Sequence, residues 1–270
     1  MGSGECWHFP LRVNLDTVKN FLEESGFVFN ERYIDVPLAM SHIKIDVGLS
    51  ENAPQSQRWI EADHDTFVFG FEPISENRKR INSGDSDWPL KLNPKYIGER
   101  IYIVPSALYS RHVPEGMEFN VTRNDPGCSS LLKPVNFEIA YLEQVQVWTL
   151  DNFLATIDPV RFPIIDHLKV DVQGSDFEVI KGIGSSFGRL LSITIEVDTS
   201  GYHDTTNHYP SIVSYMRERG FRRLRFPKLL QYLLRINNVK LEVEIDDPTF
   251  INYAKLFRMR NRNLLLFQRG

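Results

Sequence analysis

Short apolar runs, several of them ending in Asp, Glu or Gly, recur along this chain, and they constrain its fold more than any other feature. HIKIDVG (residues 42–48), TFVFGFEP (66–73), RIYIVPSAL (100–108), HLKVDVQG (167–174) and SITIEVD (192–198) are the main ones; FRRLRF (221–226) and NLLLFQRG (263–270) follow. Runs of this kind read as strands buried on both faces, which belong to mostly parallel sheets covered by helical crossovers. Helical segments lie between several of them. The segment 53–62 can start at Pro54, a good first-turn residue. The segment 176–182 carries a first-turn acid, Asp176, and a closing Gly182. The segment 209–220 places Ile212, Val213 and Met216 on one face and stops at Gly220. Residues 80–95 are polar and rich in Gly, Pro and Asn, and read as a long loop. Residues 119–154 break the alternation and read as an extra strand plus a short helix.

Strand, helix, strand in repetition predicts a doubly wound α/β domain with a seven-stranded, mainly parallel sheet. With 270 residues, 42% of them hydrophobic and 24% charged, the chain has the composition of an ordinary globular protein. One domain over 1–270 is expected, with 41–270 as the core. Residues 1–40 are expected to form a helical flap against or over the site, because DTVKNFLEESGF is amphipathic. Run 264–267 is expected as the antiparallel edge or hairpin strand. The net charge of −4 gives no global reason for a nucleic-acid partner. Cys6 and Cys128 have no metal-ligand spacing, and the start MGSGECWHFPL has no basic or apolar signal region. A reducing, cytoplasmic setting is therefore expected. No apolar run reaches the roughly 18 residues of a membrane helix.

Ligands of open α/β sheets sit outside the carboxyl ends of the strands. Those ends carry Asp46 and Gly48, Glu72 and Pro73, Ser106 and Ala107, Asp171, Gln173 and Gly174, and Glu196 and Asp198. Gly48 lets the backbone turn and a ligand come close. Glu72 ends the second strand, where a carboxylate accepts hydrogen bonds from the vicinal hydroxyls of a ribose. The loop after residue 46 lacks both G-x-G-x-x-G and G-x-x-x-x-G-K-[ST], so a dinucleotide or nucleoside triphosphate is disfavoured. An adenosine without phosphate, as in S-adenosylmethionine, fits better.

IDVGLSENAPQSQRW, FGFEP, VPSAL, CSSLL, VQVWTLDNF, IDHLKVDVQGSDFEVIKG and SITIEVD follow one another in an order that resembles the FkbM-type methyltransferases, over roughly residues 44–221. The most specific part is Thr149-Leu150-Asp151 followed by LKxDxxGxxxxVxxG over residues 168–182. The resemblance implies a Rossmann-like, class I methyltransferase fold. It also implies S-adenosylmethionine as cofactor, S-adenosylhomocysteine as product, and methylation of a hydroxyl oxygen. The expected acceptor is a small molecule or glycan, with a sugar hydroxyl as first choice, and no nucleic acid; the oligomeric state is open. Expected cofactor contacts are Asp46, Gly48, Leu49, Ser50, Asn52, Gln55, Ser56, Glu72, Pro73, Ile74, Ser106, Ala107 and Asp171. The family loop often reads D-V-G-A-N-x-G, and here Ser50, Asn52, Gln55 and Ser56 are expected to stand in for its second glycine. The family also commonly has Glu where this chain has Gln173.

Methyl transfer to a hydroxyl needs the oxygen held close to the methyl carbon and its proton removed. Asp171 is the first candidate for that work, with Glu196 and His203 beside it; the alternative is that Asp171 only hydrogen-bonds the cofactor or a backbone amide. Gln173, Glu196, His203 and Trp88 are candidate acceptor contacts, Trp88 by stacking on a sugar ring or on the adenine. Asp171, Glu196, Asp198 and His203 offer donors for Mg²⁺, but their spacing matches no known metal motif, and no metal is expected. His203 and His208 equally suit a surface loop, and Trp148 suits the core. The basic clusters 217–225 and 258–262 suit solvated faces or an acceptor bearing phosphate. Rival readings are a nicotinamide-dependent oxidoreductase, disfavoured by the missing glycines, and a non-catalytic binding protein of the same fold. A nucleic-acid methyltransferase would need an N/D-P-P-Y-type tetrapeptide, which is absent.

Overall fold

A computed structural model of the chain describes residues 13–123, 125–197, 201–224 and 248–255. The first helix, α1 (Leu15–Glu24), is capped by Asn14, whose side chain accepts the Asp16 N–H, and buries Val18 and Leu22. A short hairpin of β1 (Phe29–Asn30) and β2 (Tyr33–Ile34) follows. Then come β3 (His42–Val47), α2 (Pro54–Ala62), β4 (Thr66–Phe71), α3 (Ser75–Ser83), β5 (Ile101–Val104) and β6 (Ser106–Leu108). The chain continues through β7 (Val113–Thr122), β8 (Ile139–Trp148), α4 (Leu150–Leu154), β9 (Ile165–Val170) and α5 (Asp176–Lys181). It closes with β10 (Leu190–Ile195), α6 (Tyr209–Glu218), β11 (Arg222–Arg223) and β12 (Thr249–Ile251).

Seven strands form one sheet in the order β11-β12-β10-β9-β3-β4-β5. The five strands from β10 to β5 run parallel, and β12 is antiparallel to both of its neighbours. The sheet is covered on both faces, as the apolar runs require. Phe67, Phe69 and Phe71 of β4 face a core that α1, α4, α5 and α6 close. Val68 points the other way, into a second core with Trp59 and Ile60 of α2 and Ile81 of α3. No helix among the described residues is long and apolar enough to cross a membrane.

Several expectations change. The run 100–108 is two strands, because Pro105 has no N–H for the ladder: β5 stays in the main sheet and β6 joins a second one. That second sheet, β6-β8-β7, is the long hairpin of β7 and β8 with β6 paired parallel to β8. The expected loop 80–95 begins inside a helix, since α3 runs on to Ser83 and ends at Gly84 in the left-handed region. Among the described residues the antiparallel strand is β12, lying between β10 and β11; the expected strand 264–267 lies outside the described residues, as do Asp198, Cys6 and the basic cluster 258–262.

Candidate functional site

Four parallel strands stop in register. Val47 pairs with Phe71 and with Val170, and Val170 with Ile195. The residue after each strand makes one more ladder bond. The N–H groups of Gly48, Glu72, Asp171 and Glu196 donate to the carbonyls of Phe71, Val104, Val47 and Val170 at 2.9–3.1 Å. The ladder thus brings one glycine and three carboxylates to a single edge.

A cavity opens along that edge, enclosing about 770 Å³, part of it open to solvent. Its floor includes Val47, Gly48, Ser50, Phe71 and Val172; Glu72, Pro73, Ile74, Ser106 and Ala107 line one side, and Asp171 and Gln173 another. Phe119, Pro126, Gly127, Ser129 and Leu131, from β7 and the β7–β8 connection, complete the wall. That connection is tied down. Ser130 Oγ donates to the Gln173 carbonyl at 2.7 Å, Tyr202 Oη donates to the Cys128 carbonyl at 2.8 Å, and residues 133–135 bond to residues 201 and 203.

Glu72 is only 3% exposed. Its Oε1 accepts the Ile74 N–H at 2.9 Å, and the buried Asn77 side chain lies beside the carboxylate. Burial pushes its pKa up to about 7 against these bonds and the nearby Arg78. Arg78 in turn donates to the carbonyls of Glu72 and Pro73, which fixes the strand-to-helix turn. A buried carboxylate beside the apolar slot of Ile74, Ala107, Phe119 and Leu131 fits the ribose and adenine of an adenosine.

Asp171 stands at the other end of the chemistry. Lys169, two residues back on the same face of β9, places Nζ 2.9 Å from Asp171 Oδ2, and Gln173 Nε2 donates to Asp171 Oδ1 at 2.9 Å. Burial alone would raise this carboxyl; the Lys169 ammonium and the Gln173 amide hold it below the usual carboxylate range. Gln173 Nε2 also donates to Glu196 Oε2 at 2.9 Å, so Glu196 belongs to the cluster without lining the cavity. The loop that carries Asp171 and Gln173 hangs on Asp176. Its carboxylate accepts the N–H groups of Val172 (2.9 Å) and Gly174 (3.1 Å) and the Asn207 amide (2.7 Å). Burial pushes Asp176 up to about 7. Near the cavity rim, burial and the adjacent Asp125 push the Cys128 thiol up to about 12, which favours the protonated form.

Other expected contacts lie elsewhere. Asp46 alternates with Ile45 and Val47 and so faces α2, where Ser56 Oγ donates to it at 2.7 Å and Lys169 lies 3.9 Å away. Leu49 packs in the α2–α3 core against Gly70. Asn52 donates to the Leu90 carbonyl, and Gln55 pairs with Arg58 on α2. The physical reason is the turn itself: Ser50 and Ala53 take left-handed φ values of +58° and +46°, which swing the chain away after Ser50. His203 is exposed, its N–H bonded to the Lys133 carbonyl, and does not line the cavity. Trp88 donates to Glu51 at 3.0 Å in a separate surface hollow with Glu76, Arg80 and Asp87. The sequence alone does not point to Lys169, Asn77, Tyr202 or the β7–β8 wall as site residues, and it offers Asp176 only as a first-turn acid. Lys169 is legible, since it lies two residues before Asp171 on a strand; of the wall, Ser129 and Leu131 fall within CSSLL, while nothing marks Phe119, Pro126 and Gly127.

A family model described as the methyltransferase FkbM domain matches residues 54–223. No curated protein matches the chain. Among solved structures it is similar to a 30S ribosomal A1408 methyltransferase from an uncultured bacterium. The identity is 11% and the TM-score 0.27, over 88% of this chain and 91% of that one, a likeness too loose to argue from.

Proposed function

The chain belongs to the FkbM methyltransferase family, and on that premise we propose that it is an S-adenosylmethionine-dependent O-methyltransferase whose acceptor is a hydroxyl of a sugar, free or in a glycan. The observation that carries the reading is the single cavity lined by Glu72, Asp171 and an apolar slot between the sheet edge and the β7–β8 wall. Glu72 would receive the ribose hydroxyls, Ile74, Ala107, Phe119 and Leu131 the adenine, and Ser50 and Gly48 the amino-acid end. Bound there, the cofactor supplies an electrophilic methyl group.

The residues do the rest. Asp171 accepts a hydrogen bond from the acceptor hydroxyl and so aims one oxygen lone pair along the line of displacement. With its pKa held low, Asp171 is a weak base. That suffices, because the hydroxyl proton becomes strongly acidic as the new C–O bond forms, and the carboxylate takes it late. Glu196 and Gln173 fix the plane of Asp171. An acceptor carboxylate or phosphate at this point would meet two carboxylates and be repelled, so a neutral hydroxyl suits the site.

Isothermal titration with S-adenosylmethionine, S-adenosylhomocysteine and NAD⁺ is the test. Micromolar binding of the first two, without NAD⁺, is expected, followed by methyl transfer to a member of a sugar panel. Binding of NAD⁺ alone would reject the cofactor. Transfer only to amines would reject the acceptor.

A further inference from the structure

Gln173 is the most constrained side chain of the site. Its backbone sits at φ +58°, in the left-handed region, followed by Gly174 at +94°. Non-glycine residues persist there when their surroundings over-determine them, and such positions cluster at functional sites. The surroundings are specific. Nε2 gives one hydrogen to Asp171 Oδ1 and the other to Glu196 Oε2, each at 2.9 Å. Oε1 lies 2.9 Å from the Tyr202 hydroxyl, whose one proton it shares with the Cys128 carbonyl, and the backbone carbonyl accepts a hydrogen bond from Ser130 Oγ at 2.7 Å. The sense of the amide is fixed by this network. Flipped, its carbonyl would face two carboxylates.

The positive end of the amide therefore stands between two carboxylates, at the point where a hard cation would bind oxygen ligands. Resting on the methyltransferase reading, we infer that Gln173 is a positioning residue that occupies the place of a divalent cation between Asp171 and Glu196. It holds Asp171, braced against Glu196, to the acceptor hydroxyl and makes transfer by this chain independent of metal. Lys169, 2.9 Å from Asp171 on its other oxygen, supplies the only full positive charge among these side chains. A carboxylate at position 173 would put three oxygen donors around one point.

The test compares wild type, Gln173→Glu, Gln173→Leu and the double variant Gln173→Glu/Glu196→Gln, each with its melting temperature and its affinity for S-adenosylhomocysteine. Calorimetric titration with Mn²⁺ reads the cation site without any turnover. The expected result is Mn²⁺ binding by Gln173→Glu at least tenfold tighter than by wild type, lost again in the double variant. In the transfer assay, a chelator should leave wild type unchanged and lower Gln173→Glu at least tenfold, with Mn²⁺ restoring it. Gln173→Leu should lower kcat while leaving KM for the cofactor within twofold. Equal Mn²⁺ affinity in wild type and folded Gln173→Glu, or chelator-sensitive transfer by wild type, would overturn the inference. If no folded variant bound S-adenosylhomocysteine, the cofactor reading would fall separately, and the Mn²⁺ comparison would still decide the cation site.

Discussion

A Cβ built on Gly48 would stand 1.9 Å from the carbonyl oxygen of Asp171. The glycine is required by the neighbouring strand end, and not only by a ligand. Its φ of +90° adds a second reason, since L side chains rarely adopt it. Gly48→Ala must push the end of β9 away from β3, moving Asp171 and opening the floor of the cavity. The expected loss is about 3 kcal/mol or more, from backbone strain and overpacking together. Denaturant unfolding measures it, and a variant within about 0.5 kcal/mol of wild type would show that the two strand ends are free to separate.

Glu72 trades stability for binding. Its pKa is raised from 4.5 to about 7, so the folded state holds this proton more tightly than the unfolded chain. Stability from this group is thus fully present below about 4.5 and lost as pH rises through about 7. Glu72→Gln removes the buried charge and should raise stability above pH 7 by about 1–3 kcal/mol, while weakening S-adenosylmethionine binding by about 1.5–3 kcal/mol. Wild-type affinity should fall as pH drops below about 7, by up to about tenfold per unit, and the variant should show no such slope. Calorimetry from pH 6 to 8.5 checks both; a flat wild-type profile would remove Glu72 from the ribose.

These residues show which parts of the site the sequence makes legible. Parallel strands buried on both faces advertise themselves as apolar runs, so β3, β4, β9 and β10, and hence Gly48, Glu72, Asp171 and Glu196, can be placed in advance. The direction of the chain after a strand is harder. Ser50, Ala53 and Gln173 take left-handed backbone without being glycine, and no composition signal marks that. Asn52, Gln55 and Ser56 therefore lie off the cavity lining, where sequence spacing alone would put them on it. Helix α3, SENRKRINS, buries only Asn77 and Ile81 and so lacks the apolar stripe that reveals a helix. The β7–β8 wall is a tertiary matter: alternating strands predict a sheet, but not that it folds over the edge of another.

Lys169 sets the working range of Asp171. Its ammonium is the main influence holding that carboxyl low, at 2.9 Å. Lys169→Met should let the Asp171 pKa rise, and on the proposed mechanism, in which the ionised form takes the acceptor's proton, the acid limb of the kcat profile should move to higher pH. Asp171→Asn should lower kcat by about 10²-fold or more, the range for a positioned acid or base, with the fold kept. A Lys169→Met profile that overlays wild type would mean that Asp171 does not titrate in the rate-determining step.

Asp176 and Asn207 brace the loop between β9 and α5. The Asp176 carboxylate accepts two loop N–H groups and the Asn207 amide, and Asn207 Oδ1 accepts the Phe177 N–H at 2.9 Å. Asp176→Asn can offer one oxygen where two accept, so a buried N–H must lose its partner, costing about 1–3 kcal/mol. Asn207→Ala removes the bond from the other side and is expected to cost about 1 kcal/mol. Because both hold the same loop, the double variant should fall short of additivity by about 0.5–3 kcal/mol. Gln173 and Asp171 ride on that loop, so each variant should reduce kcat more than it reduces cofactor affinity. Additive unfolding energies, with kcat unchanged, would show that the brace holds α5 alone and leaves the catalytic loop to stand by its own contacts.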